Sequence, residues 1–84
     1  MNERVVLVVE DNPNFRKLLQ VMLSATLGVR TVLAADGKEA LAQLQTVRPA
    51  VVLLDLGMPE IDGMELVQQL RSQPATQTIP VIAV

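Results

Sequence analysis

Apolar residues are distributed along the chain in two rhythms. Four short unbroken runs, Val5–Val9, Thr31–Ala34, Val51–Leu54 and Pro80–Val84, are rich in β-branched residues and do not alternate with polar ones. Runs of this kind read as strands of a parallel sheet covered on both faces, and each is too short for a buried helix. Between them the apolar positions recur at helical spacing. Phe15, Leu18, Leu19 and Met22 fall at i, i+3, i+4 and i+7, one stripe of a helix. That helix is predicted to open at Asn12-Pro13, a capping residue followed by proline, and to stop at Gly28. A second helix is predicted from Asp36, with Glu39 three residues on, to Arg48-Pro49, burying Leu41 and Leu44. A third is predicted from Asp62, with Glu65 three residues on, to Ser72–Pro74, carrying Leu66, Val67 and Leu70.

The resulting order, β-α-β-α-β-α-β, implies right-handed crossovers and a three-layer α/β domain with a parallel sheet. No linker, repeat or low-complexity stretch divides residues 1–84, so one domain is expected.

Composition narrows the chemistry. Half of the residues are hydrophobic and Phe15 is the one aromatic, which suits an aliphatic core and offers no platform for stacking bases. Seven Lys and Arg against nine Asp and Glu leave a net charge of −2, with no basic stripe to neutralise phosphates, so no nucleic-acid contact is expected. The chain has no Cys and no His. Thiolate chemistry, the commonest transition-metal ligand and the usual general base are therefore ruled out. No apolar run approaches the length that spans a bilayer and no signal peptide opens the chain, so a cytoplasmic location without a membrane partner is expected.

What remains is acid. In an open parallel sheet, ligands sit beyond the carboxyl ends of the strands where the strand order reverses. The first strand runs into Glu10-Asp11 and the third into Asp55. If these strands are neighbours, three carboxylates converge, and two such charges about 4 Å apart repel by roughly 4 kcal/mol at an effective dielectric near 20. A raised pKa or a bound cation relieves the repulsion. Oxygen ligands alone point to a hard cation, and Mg²⁺ typically takes one or two carboxylates plus waters. The first helix would also point its positive end at this pocket, where it could help hold an anion such as a phosphoryl group. Asp55, alone at the end of a central strand, is the better nucleophile toward phosphoryl groups, and the pair Glu10 and Asp11 are the better metal ligands. An acid at a strand end is most often only the start of a loop, and Asp62 is more simply a helix cap than a ligand. The functional reading rests on two acidic sites falling at the same end of one sheet.

The stretches VLVVEDNPNFR and LLDLGMPEIDG, in this order of elements, resemble the receiver domain of two-component response regulators, and the likeness runs along the entire chain. The acid pair together with D-x-x-M-P-x-x-D-G is a specific pattern. The resemblance implies a flavodoxin-like (CheY-like) sheet, here with four strands and three helices. It also implies a phosphorelay role in which the chain is a phosphoacceptor and not itself an enzyme. Asp55 would be the phosphoacceptor. Glu10, Asp11, Asp55 and the backbone carbonyl of Gly57 would hold Mg²⁺. Met58 and Pro59 would shape the loop after the acceptor, and Gly63 matches the family's glycine at the start of the third helix. Gly57 leaves the flank of the acceptor bare, so water would approach the acyl phosphate freely. The donor would be a histidine kinase or a histidine phosphotransfer protein.

The family pattern continues past the fourth strand with a Ser or Thr, a helix, a strand bearing a Lys, and a last helix, whereas this sequence ends at IPVIAV. Without that hydroxyl and lysine, phosphorylation is expected to be impaired. The fourth strand is expected to form a bare edge that recruits a second copy into a homodimer or higher oligomer. The alternative function is a receiver-like half-domain, natural or engineered, that serves as a self-associating scaffold without phosphotransfer. A Mg²⁺-dependent phosphatase or a nucleotide binder is a weaker reading, since no G-x-x-x-x-G-K-[ST] loop follows a strand.

Overall fold

The computed structural model describes residues 4–55, 57 and 60–84. Strands β1 (Val5–Val9), β2 (Arg30–Ala34), β3 (Val51–Leu54) and β4 (Val81–Ala83) alternate with helices α1 (Pro13–Leu27), α2 (Gly37–Gln43) and α3 (Glu60–Ser72). All pairings are parallel and the strand order is β2-β1-β3-β4. The step from β1 to β2 moves one way across the sheet, and the steps to β3 and β4 move the other way. Right-handed crossovers therefore put α1 on one face and α2 and α3 on the opposite face.

The two faces are packed unequally. On the α2/α3 face, Leu7, Val9, Val52 and Leu54 meet Ala40, Leu44, Leu66 and Leu70 in one buried cluster, with Leu41 and Val67 packed against it. The helical positions predicted for α2 and α3 are thus core positions. On the α1 face the register sets Val8, Leu53 and Ile82 side by side in one row. Val8 is fully buried, Leu53 half-buried, and Ile82 50% exposed. Helix α1 packs chiefly against β1 and β2.

The apolar stripe of α1 is largely exposed. Phe15, Leu18 and Met22 are 41%, 50% and 54% exposed, only Leu19 is half-buried, and α1 has no fully buried residue. The spacing was right for a helix. What covers a stripe depends on neighbouring elements that helical spacing does not encode.

The helix ends follow local chemistry. Asn12 Oδ1 accepts from the N–H groups of Asn14 (2.9 Å) and Phe15 (3.2 Å), Pro13 takes the first helical position, and Gly28 closes α1 at φ 64. Asp36 Oδ1 accepts from Glu39 N–H at 2.8 Å and starts α2. Two boundaries differ from expectation. Helix α2 ends at Gln43, well before Arg48-Pro49. There the chain tightens into turns (Gln45 N–H to Ala42 O 3.2 Å, Thr46 N–H to Gln43 O 3.1 Å), and the Arg48 guanidinium takes up the Leu44 and Val47 carbonyls. Helix α3 begins at Glu60, which places Asp62 within the first turn and not at the cap. Nothing at Glu60 or Ile61 breaks a helix, and a capping preference is only a weak prior on where one starts. Met58 and Pro59 lie outside the described residues. No helix among the described residues is long and apolar enough to cross a membrane.

Candidate functional site

Because β1 and β3 are neighbours, the acids that follow them meet at one end of the sheet. The last rungs of the ladder aim them: Glu10 N–H bonds Ala34 O at 3.0 Å and Asp55 N–H bonds Val9 O at 3.1 Å. Ligand oxygens of Glu10, Asp11 and Asp55 all lie within 4.8 Å of one another. The adjacent pair is not equivalent. Glu10 is 2% exposed, whereas Asp11 is exposed and Asp55 half-buried.

Glu10 is held from several sides. Its Oε1 accepts from Asn12 N–H at 3.1 Å, and its backbone carbonyl accepts from the Arg16 guanidinium at 2.9 Å. Its Oε2 is buried without a hydrogen-bond partner among the described residues. Burial pushes the Glu10 carboxyl above the ordinary glutamate value of 4.5. The Asn12 N–H pulls the other way, and the Asp55 and Asp11 carboxylates push further up. A buried, unpartnered carboxylate oxygen beside two other acids is unfavourable unless a cation or a proton arrives. The all-oxygen donor set suits a hard divalent cation such as Mg²⁺.

Around Asp55, Oδ1 accepts from Gly57 N–H at 2.9 Å, so the chain turns back on the acid it has just presented. The first-turn amides of α1 do not face an anion as expected. Pro13 has none, those of Asn14 and Phe15 are taken by Asn12 Oδ1, and that of Arg16 by the Asn12 carbonyl. The field of the helix end remains, but its donors are occupied. Arg16 and Asn12 are the residues whose place in the site the sequence did not reveal. The only signal was an Arg one turn and a half beyond the acid pair, on the side of α1 that meets the strand end.

Residues 6–84 match the response regulator receiver domain. The chain belongs to this family. An uncharacterised 14.6 kDa protein of Leptolyngbya boryana is 42% identical over 78 residues, which cover 93% of this chain and 59% of that protein. The structure of a receiver domain from sensor histidine kinase PA1611 of Pseudomonas aeruginosa, with magnesium coordinated in its active-site cleft, superposes with a TM-score of 0.85 at 33% identity. It shares 98% of this chain and 66% of its own. The phosphorylated cyanobacterial phytochrome response regulator RcpA gives 0.82 at 33% identity, over 98% of this chain and 64% of its own. This receiver chain thus spans about three fifths of the curated relative and just under two thirds of those two structures. The four-stranded parallel sheet with three helices is the corresponding part of the CheY-like fold. Receiver domains are signalling modules of two-component systems.

Proposed function

We propose that Asp55 accepts a phosphoryl group from a histidine kinase or a histidine phosphotransfer protein, with Glu10, Asp11, Asp55 and the backbone carbonyl of Gly57 as the ligands of Mg²⁺. The observation that carries this reading is the convergence of three carboxylates within 4.8 Å, one of them buried with an unpartnered oxygen. Such a cluster is built to receive positive charge. The cation supplies charge neutralisation between the acceptor and the oxygens of the incoming group. Glu10, fixed through Asn12 and Arg16, holds the buried side of the pocket. Asp55, half-buried at the end of a central strand, presents an oxygen outward. That oxygen attacks phosphorus as the donor's P–N bond breaks, and the bonding pair leaves with the imidazole nitrogen.

The test is intact-mass analysis after incubation with Mg²⁺ and acetyl phosphate or a phosphorylated histidine donor. One phosphoryl addition is expected in the wild type and none in Asp55→Asn. Addition that persists in Asp55→Asn, or that no donor produces, would overturn the assignment.

A second reading, self-association, is favoured by the exposed Ile82 on the outermost strand and by the exposed stripe of α1. An edge strand offers unpaired backbone groups, and apolar patches of this kind attract a partner. Light scattering over a concentration series is expected to show a dimer or larger species, and a monomer at high concentration would sink this reading.

A further inference from the structure

Glu10 sits one residue past the end of β1, where the ladder runs out of partners for its carbonyl. Its N–H still bonds Ala34 O at 3.0 Å, but β2 ends at Ala34, and on the other side Asp55 N–H takes Val9 O at 3.1 Å. The Glu10 carbonyl is met instead by Arg16 Nη1 at 2.9 Å, reaching back from the start of α1. The Arg16 backbone N–H bonds Asn12 O at 2.9 Å, and the Asn12 N–H bonds Glu10 Oε1 at 3.1 Å. The strand end is thus braced against the helix start. The carbonyl that Arg16 grips belongs to the peptide joining Glu10 to Asp11. A peptide is planar, so holding it fixes where the next Cα stands and from where the Asp11 carboxylate sets out. Arg16 does this without acting as a counter-ion. Among the described residues its guanidinium makes no ion pair, and the Glu10 carboxyl is shifted by burial, by the Asn12 N–H and by Asp55 and Asp11. The cation is directed at a backbone carbonyl, and the three acids are left free to meet an incoming ion.

We infer that Arg16 is a positioning residue of the cation site: by holding the Glu10–Asp11 peptide it sets how the two adjacent acids converge with Asp55, and so sets the affinity for Mg²⁺. The inference rests on the reading of these acids as Mg²⁺ ligands. Its consequence is opposite in sign to that of plain electrostatics. A fixed positive charge beside an acid cluster repels an incoming cation, so as a charge alone Arg16 weakens binding and its removal tightens it. As a clamp it keeps the ligands in place for an ion that demands near-ideal geometry. Removing a partner that orients metal ligands typically costs roughly tenfold to a hundredfold in affinity. The clamp therefore predicts weaker binding on its loss.

Two measurements on wild type, Arg16→Met, Arg16→Lys and Lys17→Met test this, with far-UV circular dichroism confirming that each variant is folded. Lys17 is the charge control: it is exposed, next in sequence, and its Nζ bonds Gln20 Oε1 at 3.3 Å. The first measurement is titration calorimetry with MgCl₂. The Kd is expected to rise about tenfold in Arg16→Met. In Arg16→Lys, which keeps the charge and a donor but loses the planar fork, it is expected to rise about threefold. In Lys17→Met it is expected to stay within about twofold of the wild type, since an exposed charge is screened. A Kd unchanged or lowered in Arg16→Met, one no better in Arg16→Lys than in Arg16→Met, or an equal loss in Lys17→Met would overturn the inference. The second measurement needs no metal: amide-proton exchange at Asn12, held by Glu10 Oε1, relative to Asp55, held by Val9 O. The Asn12/Asp55 ratio is expected to rise about tenfold in Arg16→Met as the acid loosens locally. An unchanged ratio would overturn the inference. If the wild type binds no Mg²⁺, the cation-site reading fails while the exchange ratio still decides whether Arg16 holds the acid pair. If Arg16→Met does not fold, Arg16→Lys against wild type carries the test, and an equal Kd there would overturn it.

Discussion

Glu10→Gln is expected to move stability and metal binding in opposite directions. In the metal-free protein Glu10 is a buried acid with one unpartnered oxygen and two carboxylates beside it. A neutral amide of the same shape removes an uncompensated charge, and the gain is about 1–2 kcal/mol. In a domain of this size that raises the thermal midpoint by roughly 5–10 °C. On the proposed reading the same substitution removes a charged ligand, and Mg²⁺ affinity is expected to fall about a hundredfold, the upper end of what even outer-shell changes cost. With Mg²⁺ at about a hundred times the wild-type Kd, the wild type gains about 2.7 kcal/mol and the variant about 0.4 kcal/mol. The order of stabilities therefore reverses on adding the ion. The pH dependence has a definite sign. Burial raises the folded-state value of Glu10 above 4.5, so between 4.5 and that raised value the folded chain binds more protons than the unfolded one. This contribution to stability is complete below pH 4.5 and is lost as pH rises through the folded value. The difference between wild type and Glu10→Gln without Mg²⁺ isolates it from the other acids. A variant no more stable than the wild type without metal would show that Glu10 is not strained by its pocket.

Leu7→Ala is expected to remove a large share of the folding stability, whereas Leu18→Ala leaves it almost unchanged. Leu7 is fully buried on the central strand and belongs to the cluster with Leu66 and Leu70. Truncating such a leucine costs about 2–5 kcal/mol. A domain of this length holds only roughly 4–13 kcal/mol in total, so the loss is a large share. Leu18 is 50% exposed on α1. Its truncation is expected to cost below about 1 kcal/mol, because little apolar area leaves water there on folding. Urea titrations followed by circular dichroism measure both. A loss at Leu18 as large as at Leu7 would mean that the α1 face is covered in solution. A dependence of that loss on protein concentration would identify the cover as a second copy.

This contrast marks how far the sequence could be read. The strands, their parallel pairing and the inner faces of α2 and α3 followed from runs and periodicity, because Leu44, Leu66 and Leu70 pack where their spacing points. For Phe15, Leu18 and Met22 the spacing identified a helix and its apolar stripe, but periodicity does not say which elements reach such a stripe, and here it is largely exposed. In the site, the meeting of Glu10, Asp11 and Asp55 was legible because strand ends are where side chains converge in a parallel sheet. The division of labour within the pair was not. Glu10 is sealed inside and Asp11 left outside by the ladder that ends at Ala34, by the cap at Asn12 and by Arg16, which depend on register and helix placement. The anion-binding role expected of the α1 terminus gave way because Asn12 had already taken its free amides.

The strand order has a consequence for how the chain is made. Read from the N-terminus, β1 comes first, β2 pairs with β1, β3 pairs with the other side of β1, and β4 pairs with β3. Each strand after β1 therefore leaves the ribosome with a partner already synthesised, and β1 itself is paired as β2 and then β3 emerge. Domains begin to fold while the chain is still being extended, and exposed strand edges at that stage are what aggregate. Once β3 has docked, β4 adds on that same side, so from that point the sheet grows at a single edge.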